Sequence, residues 1–199
     1  MLLVIDSATA ACSVALIEGG EVIDARHEVV GRGHAEKLLP MIEDMLGARR
    51  PDAILVDCGP GSFTGVRVGL AAAQGLAIGW GIPVYGYSST ALIAAGVQGN
   101  EIAVALIGGH GQIFVQSYRR DPLEPTGPLR SLAPEDAAAA ISTHDVHGSG
   151  AAMLVTARGF GTAWDALPSA SEAWRLPEAL RTLPPRPIYG RAPDAKPMT

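Results

Sequence analysis

The stretch that decides the fold is Cys58-Gly-Pro-Gly-Ser-Phe-Thr-Gly-Val-Arg67, which leads into the small-residue run Val68-Gly-Leu-Ala-Ala-Ala-Gln-Gly-Leu-Ala-Ile-Gly79. The apolar segment Asp52-Ala-Ile-Leu-Val-Asp57 precedes it and has the pattern of a buried strand. After the glycine turn, Ala, Leu and Gln favour a helix, and Ser62 or Thr64 can accept hydrogen bonds from its first free amides. The local plan is therefore a strand, a glycine turn and a helix.

The glycine turn invites comparison with phosphate-binding loops, but it fits neither of two common templates. A Walker loop fails because Gly59 and Gly65 are one residue too far apart and Val66 stands in place of the lysine. The dinucleotide fingerprint fails because one residue too many separates the last two glycines. Ser62 does not lie in a nucleophile elbow either, since a glycine directly precedes it. We interpret the segment as a structural turn with Ser62 as a helix cap. The turn comprises Gly59, Pro60, Gly61 and Ser62.

The helix after the turn contains Gly69 and Gly75, each of which costs roughly 0.8–1 kcal/mol relative to alanine in a helix. Close backbone packing is the expected compensation, because small residues recur at helical spacing. The stripe comprises Gly65, Gly69, Ala72, Leu76 and Gly79. It meets either the chain's own sheet or a helix of a partner. Arg67 in the first turn opposes the helix dipole, which indicates an anionic or carbonyl partner, with a solvated arginine as the alternative.

Composition sets the limits for fold and function. The 199 residues are 48% hydrophobic and 18% charged, and a chain of this size can bury roughly 70% of its extended surface. The net charge of −5 argues against a protein whose main task is to grip a phosphodiester backbone. Cys12 and Cys58 lack a CxxC companion, which favours reduced, partly buried thiols, while a disulfide between them stays open.

The start of the chain, Met1-Leu-Leu-Val-Ile-Asp6, lacks the basic segment of a signal peptide. No run in the sequence approaches the roughly 18 apolar residues of a membrane-spanning helix. We therefore expect a cytoplasmic protein with no membrane partner.

Residues 1–98 predict the element order β-β-β-α-β-α-β-α. Three strands form a meander, with a hairpin turn at Gly19-Gly20. A helix follows from His34, and Pro40 either kinks it or delays its start. After the glycine motif, a strand over 83–87 and a helix capped by Ser88-Ser-Thr90 complete this half.

Residues 99–199 predict a second, smaller unit with a proline-rich tail. Strands over 102–107 and 112–118 enclose the turn Gly108-Gly-His-Gly111. A helix over 134–141, a strand over 153–157 and a helix over 171–183 broken at Pro177 follow. His144-Asp-Val-His147 is expected in a polar loop.

Several segments together resemble the TsaB (YeaZ) family, densely over the first hundred residues and in patches beyond. They are Val4-Ile-Asp-Ser-Ala-Thr9, Cys12-Ser-Val-Ala-Leu16, His34–Met41 (HAEKLLPM), Gly59–Arg67 (GPGSFTGVR), Ala73-Gln-Gly-Leu-Ala77, Ser88-Ser-Thr90, Gly159-Phe-Gly161 and Pro187–Lys196. The GPGSFTGVR segment is the most specific of them. The resemblance implies an α/β, two-lobed fold of the actin, sugar-kinase and Hsp70 type, with the second lobe reduced.

The resemblance also implies a role in making N6-threonylcarbamoyladenosine at position 37 of tRNA. In that role the chain is a non-catalytic subunit that holds a TsaD-like catalytic protein, with a TsaE-like ATPase joining the assembly and tRNA contacted indirectly. Such a chain also forms homodimers through first-lobe helices. The interface residues implied here are His34, Leu38, Met41, Met45, Gly65, Arg67, Gly69, Ala72 and Leu76.

Catalysis by the chain alone is not expected. The positions that would hold nucleotide are Asp6 and Thr9, but the turn between them has no glycine to wrap a phosphate, and local Asx-type hydrogen bonds are the favoured alternative. The second-lobe turn at Gly108 to Gly111 has no Asp, where relatives carry an Asp-Ala-Arg turn. The chain should need no cofactor, although ATP and Mg²⁺ can act at the level of the complex. The alternative is an independent ATP-dependent kinase or ATPase.

No metal site is predicted. The catalytic homologue binds metal through a His-x-x-x-His pair on a helix, a spacing that places both ligands on one face. Here Leu38 stands four residues after His34, so the second ligand is missing. His144 and His147 have no third ligand nearby in the sequence.

Overall fold

Two β-sheets with flanking helices form the computed structural model of the chain, which describes residues 1–190. In chain order the elements are β1 (Leu2–Asp6), β2 (Ala11–Glu18), β3 (Glu21–Val29), α1 (His34–Leu46), β4 (Ala53–Asp57), α2 (Phe63–Trp80), β5 (Val84–Tyr87), α3 (Ser89–Gly96), β6 (Glu101–Ile107), β7 (Ile113–Arg119), β8 (Glu124–Pro125), β9 (Arg130–Leu132), α4 (Pro134–Ala140), β10 (Asp145–His147), α5 (Ala151–Arg158), β11 (Thr162–Trp164), a 3₁₀ helix (Ala170–Arg175) and α6 (Glu178–Arg181). This mixed α/β architecture with two sheets confirms the predicted fold class.

The first sheet has the strand order β3-β2-β1-β4-β5. The β1, β2 and β3 strands form an antiparallel meander, whereas β1, β4 and β5 run parallel. Alternate side chains along β1 face opposite sides, as the strand period of two requires. Leu3 and Ile5 pack with α1 and α2 on one face, and Val4 packs with α3 on the other.

The second sheet has the order β11-β10-β6-β7-β8, and β9 also pairs with β7. One face of β6 carries Val104 and Leu106, which share a core with α3 of the first lobe. The other face carries Ala103 and Ala105, which pack with α4 and α5. Helix α3 therefore lies in the core that joins the two lobes.

Two sequence expectations in the second lobe are wrong. The strand expected over 153–157 is helix α5, which buries Ala151 and Leu154 at helical spacing and ends at Gly159 with φ of 78°. The β-branched Val155 and Thr156 favour a strand locally, but packing against the sheet overrides that preference. The loop expected around His147 contains strand β10, which pairs with β6 and β11.

Helix α1 begins at His34 and continues past Pro40, so the alternative of a later start is wrong. The broken helix is confirmed, because Pro177 separates the 3₁₀ helix from α6. Within residues 1–190, no helix is both long and apolar enough to cross a bilayer.

The segment after α6 returns to the first sheet. Leu183 and Gly86 exchange backbone hydrogen bonds of 3.0 and 2.7 Å. The amide of Ile188 donates to the carbonyl of Cys58 at 2.7 Å. Residues 170–190 thus follow the second lobe in sequence yet contact the first, and the tail motif over 191–196 lies outside the described residues.

Candidate functional site

The glycine motif packs against the turn between β1 and β2 at distances that only glycine permits. A Cβ atom on Gly61 would lie 2.1 Å from the carbonyl oxygen of Ala8, and one on Gly65 would lie 2.1 Å from that of Ser7. The amide of Ser62 donates to Ala8 O at 2.7 Å, and Ser7 Oγ donates to Gly65 O at 2.9 Å. Close approach of the chain's own backbone therefore explains why glycine is required at both positions.

Ser62 is the N-cap of α2, as the sequence predicts. Its Oγ accepts a hydrogen bond from the amide of Gly65 at 3.2 Å. The turn before it is held by α3, since the amide of Ser89 donates to Gly59 O at 3.0 Å and Ser89 Oγ lies 2.9 Å from Pro60 O. These contacts fix where α2 begins relative to both β1 and α3.

Most residues expected at a partner interface are buried within the chain. They are His34, Leu38, Met41, Met45, Gly65 and Gly69. His34 Nε2 lies 3.2 Å from the carbonyl oxygen of Ala11 and makes a structural hydrogen bond. A Cβ on Gly69 would lie 2.6 Å from Ser7 Oγ. Ala72 and Leu76 are half-buried against the same core.

The outward face of α2 shares Gly79, but no other residue, with the stripe predicted from the sequence. It comprises Ala71, Gln74, Gly75, Ile78 and Gly79. Ile78 is 84% exposed, and an added Cβ on Gly75 or Gly79 would meet nothing within 4 Å among the described residues. Gly65, Gly69, Ala72 and Leu76 of the predicted stripe are thus buried or half-buried, whereas Gly79 lies on the outward face.

Arg67 contacts aromatic groups rather than the anion or carbonyl expected from its place in the helix. Its guanidinium carbon lies 3.5 Å from the ring centroid of Phe63, a cation–π contact. Its Nη2 donates to the hydroxyl of Tyr189 at 3.2 Å. Arg67 therefore joins the first turn of α2 to the returning segment.

Three polar side chains lie next to one another at the carboxyl ends of the parallel strands. Strand register places Asp6 beside Asp57 and Asp57 beside Tyr87. The hydroxyl of Tyr87 donates to Asp6 Oδ2 at 3.0 Å and lies 3.1 Å from the carbonyl oxygen of Ile5. Asp57 accepts from the amide of Gly59 at 2.6 Å and from Ser89 Oγ at 2.7 Å.

The two carboxyl groups form a hydrogen-bonded, buried pair. Burial raises the pKa of Asp6 well above its ordinary value, and the charge of Asp57 adds to that shift. Burial also raises the pKa of Asp57, although hydrogen bonds from Asp6, Ser89 and Gly59 oppose the shift. Hydrogen bonding between the two carboxyl groups adds to the rise in the pKa of Asp6 and opposes the rise in that of Asp57, so Asp6 holds a proton more readily than Asp57. Asp6 is fully buried.

Several polar groups of the turn after Asp6 are hydrogen-bonded within the chain. The amide of Ala8 donates to Asp6 Oδ1 at 3.3 Å, and the amide of Ala11 donates to Thr9 Oγ1 at 3.3 Å. The carbonyl of Ala10 accepts from Val30 and Gly31. These are the local hydrogen bonds that the sequence favours over a phosphate cradle.

The second lobe presents two turns toward the first. His110, in the turn between β6 and β7, has a left-handed φ of 62°. Ser149 precedes α5, and its Oγ accepts from the amide of Ile107 at 3.2 Å. Gly148 has φ of 117°, and an added Cβ would lie 2.3 Å from the carbonyl oxygen of Ala105. This Gly-Ser-Gly loop was missed in the sequence, although its closely spaced glycines were a visible turn signal.

A cleft of about 960 Å³ lies between the two lobes. Thr9 and Arg67 reach it from the first lobe, and His110 and Ser149 reach it from the second. Of residues 1–190, no Asp or Glu lines it. Its lining comprises Ala8, Thr9, Ala10, Gly31, Gly61, Ser62, Phe63, Val66, Arg67, Leu106, Ile107, Gly108, Gly109, His110, Phe114, Ser149, Leu167, Pro187, Ile188, Tyr189 and Gly190.

Neither metal ligation nor thiol chemistry is indicated in the part of the chain that the structure describes. No group of three or more His, Cys, Asp or Glu side chains is arranged to hold a metal ion within residues 1–190. Cys12 and Cys58 are free and buried. Burial raises the pKa of Cys12 to about 11 and that of Cys58 to about 12, which keeps both as neutral thiols.

Asp57, Tyr87 and Ser89 were missed as site residues by sequence reasoning. The sequence carried one signal for the acid pair, since two apolar runs each end in an aspartate. They are Val4-Ile-Asp6 and Leu55-Val-Asp57. Parallel pairing of those strands brings the two acids together. The pairing itself, however, is a long-range property.

The cleft and the two sheets can be compared with known proteins. The family model for "TsaD: tRNA N6-adenosine threonylcarbamoyltransferase" matches residues 22–127. The tRNA threonylcarbamoyladenosine biosynthesis protein TsaB of Escherichia coli is 40% identical over 129 residues, which cover 60% of this chain and 55% of that protein. The match thus spans about half the length of that curated relative.

Two solved structures extend the comparison to the fold. YeaZ from Pseudomonas aeruginosa superposes with a TM-score of 0.80 at 30% identity, covering 94% of this chain and 98% of that one. The ethanolamine utilization protein EutJ of Carboxydothermus hydrogenoformans, at 13% identity, shares the fold with a TM-score of 0.50 over 90% of this chain and 89% of that one. The family model covers more than half of the chain, and YeaZ matches it almost from end to end. The chain therefore belongs to the TsaB (YeaZ) family.

Proposed function

We propose that the chain is a non-catalytic subunit in the synthesis of N6-threonylcarbamoyladenosine in tRNA, and that it binds a TsaD-like catalytic protein. The name of the E. coli relative supports the pathway, since it specifies the biosynthesis of that nucleoside. A family model named for the transferase matches residues 22–127, which supports a related protein as the partner.

The docking surface in this proposal is the outward face of α2, and one observation supports it. Gly75 and Gly79 are helical glycines with open space where a Cβ would be, so packing within the described chain does not explain them. A helical glycine without such a reason costs roughly 0.8–1 kcal/mol relative to alanine. A partner helix that packs closely against this face would explain why glycine occupies both positions. Ile78, at 84% exposure, is the apolar anchor beside them.

The non-catalytic role rests on the position of Asp6. Its carboxyl group is buried, bonded to Tyr87 and Asp57, and absent from the cleft lining. A phosphoryl-transfer site needs carboxylates to hold Mg²⁺ and to orient the nucleophile. Catalysis, with its ATP and Mg²⁺, therefore falls to the partner and to a TsaE-like ATPase in the assembly. The net charge of −5 supports indirect contact with tRNA.

Homodimers form through the same face of α2 in this proposal. Because a helix face accommodates one helix at a time, self-association and partner binding then compete. Raising the concentration of the chain alone should favour homodimers, and adding the TsaD-like protein should convert them to heterodimers.

The test is co-elution of the purified chain with a TsaD-like protein in gel filtration, using Ile78→Arg as the disrupting variant. The matched control is Thr156→Arg, which places the same charge at an exposed position of α5. We expect Ile78→Arg to abolish co-elution and the threonylcarbamoyladenosine formed in a reconstituted assay, while its circular dichroism stays native. Thr156→Arg should behave as the wild type.

The docking assignment is wrong if the Ile78→Arg chain co-elutes like the wild type. The non-catalytic role is tested separately, by phosphate release from Mg-ATP with the chain alone. We expect no release above a protein-free blank. Turnover by the chain alone would instead favour the independent ATPase.

A further inference from the structure

The cleft between the lobes exposes apolar surface that folding of the described chain leaves uncovered. Phe63 of the first lobe is 60% exposed, Ile107 of the second lobe is 56% exposed, and Tyr189 of the returning segment is 59% exposed. All three line the same 960 Å³ cavity. Large apolar side chains that converge on one concave site from three segments mark a ligand-binding cavity rather than scattered surface.

Among residues 1–190, Arg67 is the permanently charged side chain in the lining. Arg67 contributes a permanent positive charge at the first-lobe wall, and His110 contributes an imidazole at the second-lobe wall. Within residues 1–190 no carboxylate faces either of them in the cavity. Arg67 is already oriented by the ring of Phe63 and the hydroxyl of Tyr189, and among residues 1–190 its other guanidinium N–H groups have no partner and can donate to an anion.

The same lining disfavours a polyphosphate with its metal ion. Mg²⁺ needs carboxylate or other hard oxygen ligands beside the phosphates. The acid at the corresponding strand end, Asp6, is buried and bonded to its neighbours. The amide of Ala8 in the turn that follows is bonded to Asp6 Oδ1, which takes one backbone donor away from phosphate oxygens.

We propose that this cleft binds a small organic molecule with a flat apolar body and a single anionic group, such as an aryl carboxylate or sulfonate. The body lies among Phe63, Ile107 and Tyr189, and the anionic group is bound by Arg67. This inference does not depend on the proposed function, because it concerns the cleft and not the outward face of α2.

The probe for the test is 8-anilinonaphthalene-1-sulfonate, whose fluorescence rises in apolar sites. The matched neutral probe is N-phenyl-1-naphthylamine, which has the same rings without the sulfonate. Each is titrated against the folded wild-type chain and three variants: Arg67→Gln, Ile107→Glu and Arg181→Gln. Arg181 lies on α6, outside the cleft, and controls for the loss of one positive charge.

We expect saturable binding of the sulfonate probe at one site per chain. Arg67→Gln should weaken the binding of the sulfonate probe by about tenfold, the effect of losing one charge-assisted hydrogen bond. The affinity for the neutral probe should stay within about twofold of the wild-type value. Ile107→Glu should weaken the sulfonate probe more than the neutral one, because it introduces a like charge. Arg181→Gln should change neither. Naphthalene-2-carboxylate should displace the sulfonate probe, and millimolar Mg-ATP should not.

Three results would overturn the proposal. The first is the absence of saturable binding to the wild type. The second is an equal loss of both probes in Arg67→Gln, which would show that the charge does not select the ligand. The third is displacement by Mg-ATP at lower concentrations than by naphthalene-2-carboxylate, which would assign the cleft to nucleotides. Arg67→Gln and Ile107→Glu alter opposite walls of the cleft. If one of these variants misfolds, the other still tests the proposal.

Discussion

Asp6 and Asp57 hydrogen-bond to each other through their carboxyl groups inside the first lobe, at the ends of neighbouring parallel strands. Two buried carboxyl groups that share a site do not both ionise readily, so one proton shared between them is favoured. Asp57 in turn accepts from Gly59 and Ser89, which hold the glycine turn. The protonation of one acid is therefore linked to the placement of α2.

The first prediction concerns this acid pair and pH. The pKa of Asp6 is raised in the folded state, so its contribution to stability is fully present below the unfolded value near pH 3.9 and is lost as pH rises through the folded pKa. The loss approaches about 1.4 kcal/mol per pH unit for one proton. Asp6→Asn keeps a donor for Asp57 and an acceptor for Tyr87 without titrating. Urea unfolding between pH 4.5 and 7.5 should show a smaller decline for the variant, and parallel curves would contradict the shared proton.

The second prediction compares two glycines in the same helix. Gly65→Ala should destabilise the chain by about 3 kcal/mol or more, because the added Cβ lies 2.1 Å from a backbone oxygen. Gly75→Ala should stabilise it by about 0.8–1 kcal/mol, because nothing lies within 4 Å and alanine is the better helix former. Urea denaturation of both variants measures the difference. Equal effects would refute the close approach to the β1–β2 turn.

The third prediction concerns the cap of α2. Ser62→Ala should cost about 1 kcal/mol of unfolding free energy, since the amide of Gly65 loses its acceptor. Ser62→Asp should restore most of that loss, because its carboxylate can cap the same amide and favours the positive end of the helix dipole. Thermal unfolding followed by circular dichroism provides the measurement. A Ser62→Asp chain no more stable than the alanine variant would argue against capping.

The fourth prediction concerns the two cysteines. Both thiols are buried, with pKa values of about 11 for Cys12 and about 12 for Cys58, and the thiolate is the reactive form. Reaction with a disulfide reagent at pH 8 should therefore be slow in the native chain and fast in urea. A thiol that reacts rapidly in the native chain would show that its burial is incomplete.

The sequence was sufficient to locate α1 and α2, because apolar spacing and turn residues are local signals. It could not say which surface covers an apolar stripe. Leu38, Met41 and Met45 were assigned to a partner, yet they pack on the chain's own sheet. Periodicity in the sequence indicates that one face of a helix is buried. Only the three-dimensional arrangement shows which surface that face packs against.

The site was harder to predict than the elements. Asp6 was identified as a strand-end acid, but its pairing with Asp57 depends on the register of two strands about fifty residues apart. The cleft joins residues from both lobes and from the returning segment. Local signals carry no information about such a junction. Helix α5 shows the same limit, since its sheet packing outweighs the strand preference of Val155.

The return of residues 183–188 to the first sheet also bears on synthesis of the chain. Leu183 bonds to Gly86 beside β5, and Ile188 bonds to Cys58 before the glycine turn. A ribosome makes β1 to α3 before the second lobe, yet these bonds wait until residues 183–188 have emerged. The second lobe is in effect an insertion within the first. Co-translational folding of the first lobe is therefore completed only after the second lobe has been made.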